Sequence, residues 1–145
     1  MDSSICAELR TGVATATAAE TRALAARLAF ALPPDTVLAL HGDLGVGKTT
    51  FVQGLAEGLG VTGHVTSPTF NIFTLYRGAR TLVHLDAYRL EHPRQIEELM
   101  LEDFLTSPWC LAVEWPSKID AWIPADAWHV ELGILPDERH TVRLR

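Results

Sequence analysis

Cysteine is scarce in this sequence, and no apolar run is long enough to cross a membrane. The two cysteines, Cys6 and Cys110, are far apart and form no metal-ligand cluster, which favours a reducing compartment. Residues 1–4 lack the basic segment that begins a secretory signal, and no apolar run approaches the roughly 18 residues of a spanning helix. We therefore expect a cytoplasmic protein without a membrane partner.

Basic residues are also few. The chain has 12 lysines and arginines against 18 acidic residues, which gives a formal net charge of −6. A protein that grips nucleic acid independently needs a basic face. The composition therefore argues against DNA binding and against an extended contact with RNA by this chain alone, whereas docking onto a basic protein partner is compatible with it.

The most informative stretch is a glycine-rich turn between an apolar run and an amphipathic helix. Gly42, Gly47, Lys48 and Thr49 satisfy the spacing G-x-x-x-x-G-K-[ST] of a phosphate-binding loop. Glycines let backbone N–H groups approach phosphate oxygens, and the helix directs its positive dipole end toward the anion. Lys48 supplies a cation for the β- and γ-phosphates, and the Thr49 hydroxyl can ligate Mg²⁺. The nucleotide-binding residues predicted here are Gly42, Asp43, Leu44, Gly45, Val46, Gly47, Lys48, Thr49 and Thr50.

The apolar pattern predicts an α/β fold with a mixed central sheet flanked by helices, within one domain over residues 1–145. Residues 5–14 are weakly patterned and are interpreted as an edge strand. Residues 17–20 form a capping-box sequence ahead of a helix that ends before two prolines. The next helix, after the glycine-rich turn, is expected to end at Gly58 or Gly60.

The second half of the chain contains several strand patterns. Residues 71–76 and 80–86 predict an antiparallel hairpin, and residues 110–114 read as a strand buried on both faces. Residues 128–134 alternate like a half-buried strand, with a last strand around Val142 and Leu144. Between them, residues 93–105 predict one helix whose apolar side carries Ile96, Leu99, Met100 and Phe104.

A phosphate loop needs a carboxylate to hold Mg²⁺ or to orient water. Asp86 and Glu114 are the candidates, because each ends an apolar strand and open α/β sheets bind ligands at the carboxyl ends of their strands. Either acid could instead cap the segment that follows it. His84 and His129 also lie on predicted strands, and we interpret them as packed or surface residues rather than catalysts.

Two polar segments have more than one interpretation. Thr66, Ser67 and Thr69 lie where a switch-like loop could meet the γ-phosphate, although an ordinary turn explains the composition equally well. Residues 117–120 faintly resemble the guanine-reading N-K-x-D element of GTPases. The expected Asp-x-x-Gly after the hairpin is missing, so we interpret residues 117–120 as a solvated turn.

Four motifs in order resemble the TsaE-type ATPases of bacterial tRNA threonylcarbamoyladenosine biosynthesis. They are His-Gly-Asp-Leu-Gly-Val-Gly-Lys-Thr-Thr at 41–50, Thr-Ser-Pro-Thr-Phe at 66–70, His-Leu-Asp-Ala-Tyr-Arg-Leu at 84–90 and Val-Glu-Trp-Pro at 113–116. The resemblance covers most of the chain. It departs at Ser117, where the family often has an acidic residue.

The resemblance implies a compact P-loop NTPase-like ATPase that binds ATP with Mg²⁺ and works with the TsaD and TsaB subunits. TsaD transfers the threonylcarbamoyl group onto the adenosine next to the anticodon of ANN-decoding tRNAs. This chain would meet tRNA only through that complex, and its ATP hydrolysis would support turnover. Carried over by motif, the catalytic residues are Lys48, Asp86 and Glu114, the metal site is Thr49, Glu114 and Asp86, the switch-like loop contains Thr66, Ser67 and Thr69, and Trp115 supports the site.

Two other functions remain open at this point. A small-molecule kinase shares the phosphate loop but needs an acceptor pocket and usually an arginine-bearing lid, which is not evident here. A nucleotide-gated binding module would use ATP only to set the shape that docks a partner. Because no arginine finger is assignable, we expect hydrolysis by the isolated chain to be slow.

Overall fold

A computed structural model describes residues 3–43, 46–63, 65 and 72–145, excluding the side chain of residue 3. The helices are α1 (Ser3–Thr11), α2 (Ala18–Ala31), α3 (Lys48–Gly58) and α4 (Gln95–Glu98), and short 3₁₀ helices cover Ala87–Arg89, Leu101–Phe104 and Pro116–Trp122. The strands are β1 (Val13–Thr15), β2 (Thr36–His41), β3 (Phe73–Tyr76), β4 (Thr81–Asp86), β5 (Trp109–Glu114), β6 (Trp128–Ile134) and β7 (His140–Leu144).

The seven described strands form one sheet in the order β1-β7-β6-β2-β5-β4-β3. Strands β4, β5, β2 and β6 run parallel to one another, and the other neighbouring pairs are antiparallel. The predicted mixed α/β sheet is confirmed. The predicted hairpin is confirmed as β3 and β4, with residue 71 outside the described part of the chain.

The sheet is covered on both faces, because alternate residues of its central strands belong to two different apolar clusters. Leu38, Leu40 and Ala112 pack with α1, α2 and α3, whereas Val37 and Val113 pack with α4 and the short 3₁₀ helices. Strands buried on both faces are typical of a parallel sheet. This explains the continuous apolar run at residues 110–114, where the prediction is confirmed.

The predicted capping box is also confirmed. The Thr17 side chain accepts a hydrogen bond from the backbone N–H of Glu20 at 3.1 Å, and the Glu20 carboxylate accepts one from the N–H of Ala16 at 2.6 Å. Helix α2 ends at Ala31, before the two prolines, and α3 ends at Gly58 as expected. These ends are set by residues adjacent in sequence, which is why they are predictable.

Two secondary-structure predictions are wrong. Most of the predicted edge strand at 5–14 is helix α1, because Ile5 and Leu9 lie one helical turn apart and are both fully buried. Only β1 keeps the predicted edge position.

The predicted helix at 93–105 is broken at Met100, which has a left-handed φ of 55°. The break turns Leu101 into the core and leaves Met100 56% exposed.

The remaining strands differ from expectation only in detail. Val130 and Leu132 of β6 are buried as predicted, whereas Ile134 is 49% exposed. Residues 117–120 belong to a short 3₁₀ helix in which Ile119 is buried and its three neighbours are exposed. No described helix is long and apolar enough to span a membrane.

Candidate functional site

The glycine-rich loop leaves the carboxyl end of β2, the strand between β5 and β6. Leu40 pairs with Glu114 of β5, and His41 pairs with Glu131 of β6. The loop therefore begins at the edge where β2 and β5 end, beside β6, which continues to Ile134. This carboxyl edge is where sheets of this class bind ligands. Asp43 is exposed at the start of the loop.

Gly42 is required by both its conformation and its surroundings. Its φ is 149°, and a Cβ there would lie 2.6 Å from the carbonyl oxygen of Leu132 and 2.7 Å from a methyl carbon of Val46. A larger residue would force the loop away from β6. The first glycine of the motif thus lets the loop lie directly against the neighbouring strand.

The other end of the loop is held by the last strand of the sheet. Gly47 has a φ of 95° and precedes α3, whose first residue is Lys48. The carbonyl oxygen of Val46 accepts a hydrogen bond from Nδ1 of His140, in β7, at 2.9 Å. Because a peptide group is planar, fixing this carbonyl also fixes the direction of the Gly47 N–H. His140 was not among the predicted site residues.

Lys48 is enclosed rather than extended into solvent, being 5% exposed. Its Nζ donates a hydrogen bond to the carbonyl oxygen of Gly42 at 2.8 Å and lies 3.9 Å from the ring centroid of Trp115. Burial lowers the pKa of Lys48, and the nearby carboxylates of Glu114, Asp86 and Asp43 oppose that lowering. The lysine thus lies in the field of both predicted acids.

The two acids occupy paired positions on adjacent strands. Asp86 ends β4, Glu114 ends β5, and the two residues are register partners. Asp86 also caps the 3₁₀ helix that follows it: Oδ1 accepts from the N–H of Tyr88 at 3.1 Å, and Oδ2 lies 3.4 Å from Nε of Arg89. Asp86 therefore does both: it caps the 3₁₀ helix and it lies beside Glu114 at the site.

Glu114 has a partner that the sequence did not reveal. Its side chain is nearly buried, and Oε2 lies 2.5 Å from Nε2 of His84, which is fully buried in β4. The interpretation of His84 as a packed residue is right about its burial but omits this contact. A signal was present, because His84 is an imidazole in an apolar strand and lies two residues before an acid.

Trp115 follows Glu114 in a left-handed conformation, with a φ of 56°. Its ring contacts Lys48 and lies 5.1 Å, centroid to centroid, from the ring of Tyr88. Tyr88 is 58% exposed. Trp115 therefore connects the buried lysine to an exposed aromatic residue on the turn after Asp86.

A cavity of about 490 Å³ adjoins the start of the loop. Two histidines pair beside it: Nε2 of His41 is 2.8 Å from Nδ1 of His129. Burial is the largest cause that lowers the pKa of His41, and the charges of Arg145 and His129 lower it further. The cavity is lined by His41, Gly42, Asp43, Val46, Trp115, Pro116, Ser117, Leu132, Gly133 and Ile134.

Several predicted residues are brought together around the loop. Gly42, Val46, Gly47, Lys48, Asp86, Glu114 and Trp115 occupy this one edge of the sheet. Thr49 and Thr50 are half-buried in the first turn of α3. The predicted residues that lie outside the described part of the chain are Leu44, Gly45, Thr66, Ser67 and Thr69.

The oxygen ligands at this edge suit Mg²⁺, which prefers carboxylate, hydroxyl and phosphate oxygens. Asp86 and Glu114 offer carboxylates, and Thr49 offers a hydroxyl at the start of α3. Gly42 lets the loop lie against β6, and Gly47 has the positive φ at the start of α3. The residues present therefore fit a nucleotide with its metal ion.

Comparison with known proteins decides the family. A model of the family described as threonylcarbamoyl adenosine biosynthesis protein TsaE matches residues 15–141. The chain belongs to the TsaE family. The TsaE protein of Bacillus subtilis is 39% identical over 124 residues, which are 85% of this chain and 77% of that protein. The one from Synechocystis is 46% identical over 98 residues, which are 64% of this chain and 62% of that protein.

A solved structure agrees with the TsaE assignment. The crystal structure of Bacillus subtilis YdiB superimposes with a TM-score of 0.76 at 35% sequence identity, covering 92% of this chain and 82% of that one. The match from residue 15 onward includes every strand from β2 to β6 and all the motifs that carry the resemblance. The expected family and α/β fold are confirmed.

Proposed function

We propose that this TsaE-family chain binds ATP with Mg²⁺ at the loop of residues 42–50 and hydrolyses it slowly. One observation carries the proposal: the enclosed Lys48 bonds to the loop carbonyl of Gly42 and lies in the electrostatic field of the paired acids Asp86 and Glu114. A cation, a glycine-rich backbone cradle and two carboxylates at neighbouring strand ends are the parts that phosphoryl transfer to water requires.

Each residue has a distinct task in this proposal. The loop N–H groups and Lys48 bind the phosphates, with Lys48 exchanging the Gly42 carbonyl for phosphate oxygens. Thr49 and Glu114 would hold Mg²⁺, which when bound supplies neutralisation of charge on the phosphates. Asp86 would orient water, either directly or as a metal ligand. No arginine finger is assigned, so we expect slow turnover by the chain alone.

The biological setting follows from the family. The relatives named above are tRNA threonylcarbamoyladenosine biosynthesis proteins. We propose that this chain supports turnover of the TsaB–TsaD complex, in which TsaD modifies the adenosine next to the anticodon of ANN-decoding tRNAs, and that it acts in the cytoplasm. The net charge of −6 is consistent with contacts to tRNA made through the complex rather than by this chain directly.

The test is reconstitution with TsaB, TsaD, ATP, Mg²⁺ and tRNA, followed under multiple-turnover conditions. Lys48→Ala should weaken nucleotide binding at least about tenfold and abolish multiple turnover, because removing the partner of a bound phosphate leaves its charge uncompensated. The matched control for nucleotide affinity is Lys118→Ala, since Lys118 is the chain's other lysine, is exposed outside the loop and lies over the ring of Tyr88. Unchanged nucleotide affinity in Lys48→Ala would refute the proposal.

A second function, nucleotide-gated docking, is favoured by one contact chain. Lys48 contacts Trp115, Trp115 contacts Tyr88, and Tyr88 is exposed where a partner can reach it. Replacing Glu114 by Gln separates the two functions. If ATP binding and docking persist while multiple-turnover modification is lost, hydrolysis is required. If modification also persists without hydrolysis, the nucleotide acts as a gate.

Phosphorylation of an added acceptor instead of release of free phosphate would identify a kinase.

A further inference from the structure

His84 occupies an unusual place for a histidine. It lies in the middle of β4, between the fully buried Val83 and Leu85, and is itself 0% exposed. Side chains alternate along a strand, so His84 and Asp86 lie on the same face of the sheet. On the adjacent strand, Glu114 is the register partner of Asp86 and bonds to His84 through Oε2.

Packing alone does not account for this imidazole. Its Nδ1 is buried and finds no hydrogen-bond partner among the described residues. Leaving a buried polar atom unpaired destabilises the folded state, and a valine or leucine at this position would avoid that loss. Buried polar groups that destabilise the fold in this way are typical of functional sites.

We propose that His84 is a positioning residue that fixes the carboxylate of Glu114 for its role beside the nucleotide. When Glu114 is ionised its oxygens only accept hydrogen bonds, so Nε2 of His84 is the donor. The bond restricts the rotamers of a long side chain whose charge acts directly on Lys48. His84 does not itself touch the nucleotide. This inference rests on the proposed function, because it assigns to Glu114 a task in binding Mg²⁺ with ATP.

The measurement that isolates this role is the Mg²⁺ increment, defined as the ratio of ATP dissociation constants in EDTA and in excess Mg²⁺. It is obtained by calorimetry and does not need turnover. His84→Leu should reduce the increment roughly tenfold, since loss of a partner that orients a metal ligand typically costs 10- to 100-fold in metal affinity or activity. ATP affinity in EDTA should change less than about twofold, because the phosphate loop is unaltered.

Three further variants distinguish positioning from a structural effect. His84→Gln retains an N–H donor near the position of Nε2 and should recover most of the increment. His92→Leu removes an exposed histidine that lies outside the site and should leave the increment unchanged. In a Glu114→Gln background, His84→Leu should have no further effect, because the residue it acts through is already altered.

The outcomes are separable. Equal losses from His84→Leu in the native and Glu114→Gln backgrounds would overturn the role of His84, as would an unchanged increment in His84→Leu. Urea unfolding of each variant identifies any that does not fold, and His84→Gln then decides the question. If the unchanged chain binds no ATP in either buffer, the proposed function fails first. The hydrogen bond can still be verified by NMR, because the ¹⁵N chemical shifts of the His84 imidazole should change in Glu114→Gln.

Discussion

The Nζ atom of Lys48 lies 3.9 Å from the centre of the Trp115 ring. Lys48 also donates a hydrogen bond to the Gly42 carbonyl, so two contacts hold its ammonium group beside the loop. A cation over an indole face is attracted by the ring's quadrupole, typically by about 0.5–2 kcal/mol. Any polyphosphate that recruits Lys48 must compete with both contacts, so Trp115 is placed to respond to binding.

We therefore predict that ATP binding changes the fluorescence of Trp115, because the cation moves relative to the indole. Titrating ATP should alter the emission of the unchanged chain, and Trp115→Phe should lose most of that response. Trp109→Phe is the matched control, since Trp109 lies at the opposite end of β5. A full response in Trp115→Phe would show that another tryptophan reports the binding.

His140 offers a second prediction, about the loop itself. Removing its bond to the Val46 carbonyl should loosen the Val46–Gly47 peptide and weaken ADP binding about twofold to tenfold, from the usual 0.5–1.5 kcal/mol of one hydrogen bond. We expect this in His140→Ala by calorimetry. His140→Asn, whose amide nitrogen lies near the place of Nδ1, should restore affinity. His92→Ala changes an exposed histidine and serves as the control.

The contact between α2 and α3 gives a stability prediction. A Cβ on Gly54 would lie 2.3 Å from the carbonyl oxygen of Arg22 and 2.8 Å from the Cβ of Ala25. Gly54→Ala should therefore force the two helices apart and lower the free energy of unfolding by about 1–3 kcal/mol, the usual range for overpacking. Gly63→Ala is the control in urea unfolding, since a Cβ at Gly63 meets nothing within 4 Å. Equal stability of Gly54→Ala and the unchanged chain would contradict this.

The lowered pKa of His41 predicts a pH dependence of stability. Between the ordinary pKa of 6.5 and the lower folded pKa, the unfolded chain binds the proton more readily than the folded one. The free energy of unfolding should therefore fall as the pH drops below 6.5. Urea unfolding at pH 7.5 and pH 5.5 should show a larger loss for the unchanged chain than for His41→Asn. Identical losses would mean that other groups cause the acid sensitivity.

How much of the fold could be predicted depends on whether the residues that determine each element are close together in the sequence. The ends of α2 and α3, the β3–β4 hairpin and the buried strand β5 follow from neighbouring residues, and they were predicted correctly. Residues 5–11 were misread because the three buried residues, Ile5, Cys6 and Leu9, are too few to distinguish a helical period from a strand. The break in the predicted helix at Met100 was missed because the burial of Leu101 outweighs the local helical pattern.

The same distinction applies to the site. Lys48, Asp86 and Glu114 could be nominated because a motif or a strand end marks each of them. The contacts of His84 with Glu114 and of His140 with Val46 could not be predicted, because the partners lie 30 and 94 residues apart in sequence. Spacing patterns carry no information about such pairs, and only the strand order brings them together. Thr66, Ser67 and Thr69 stay predictions.

The arrangement of the sheet has a consequence for how the protein acquires its function. The outer pairs β3–β4 and β6–β7 are antiparallel neighbours in sequence, so each can form locally and early. The parallel centre, by contrast, joins β2 to β5 and β6 across more than 70 residues, and these long-range pairings form the edge from which the glycine-rich loop leaves. Recovery of nucleotide uptake after dilution from urea should therefore lag behind recovery of strand content, so that ligand capture marks the last stage of folding.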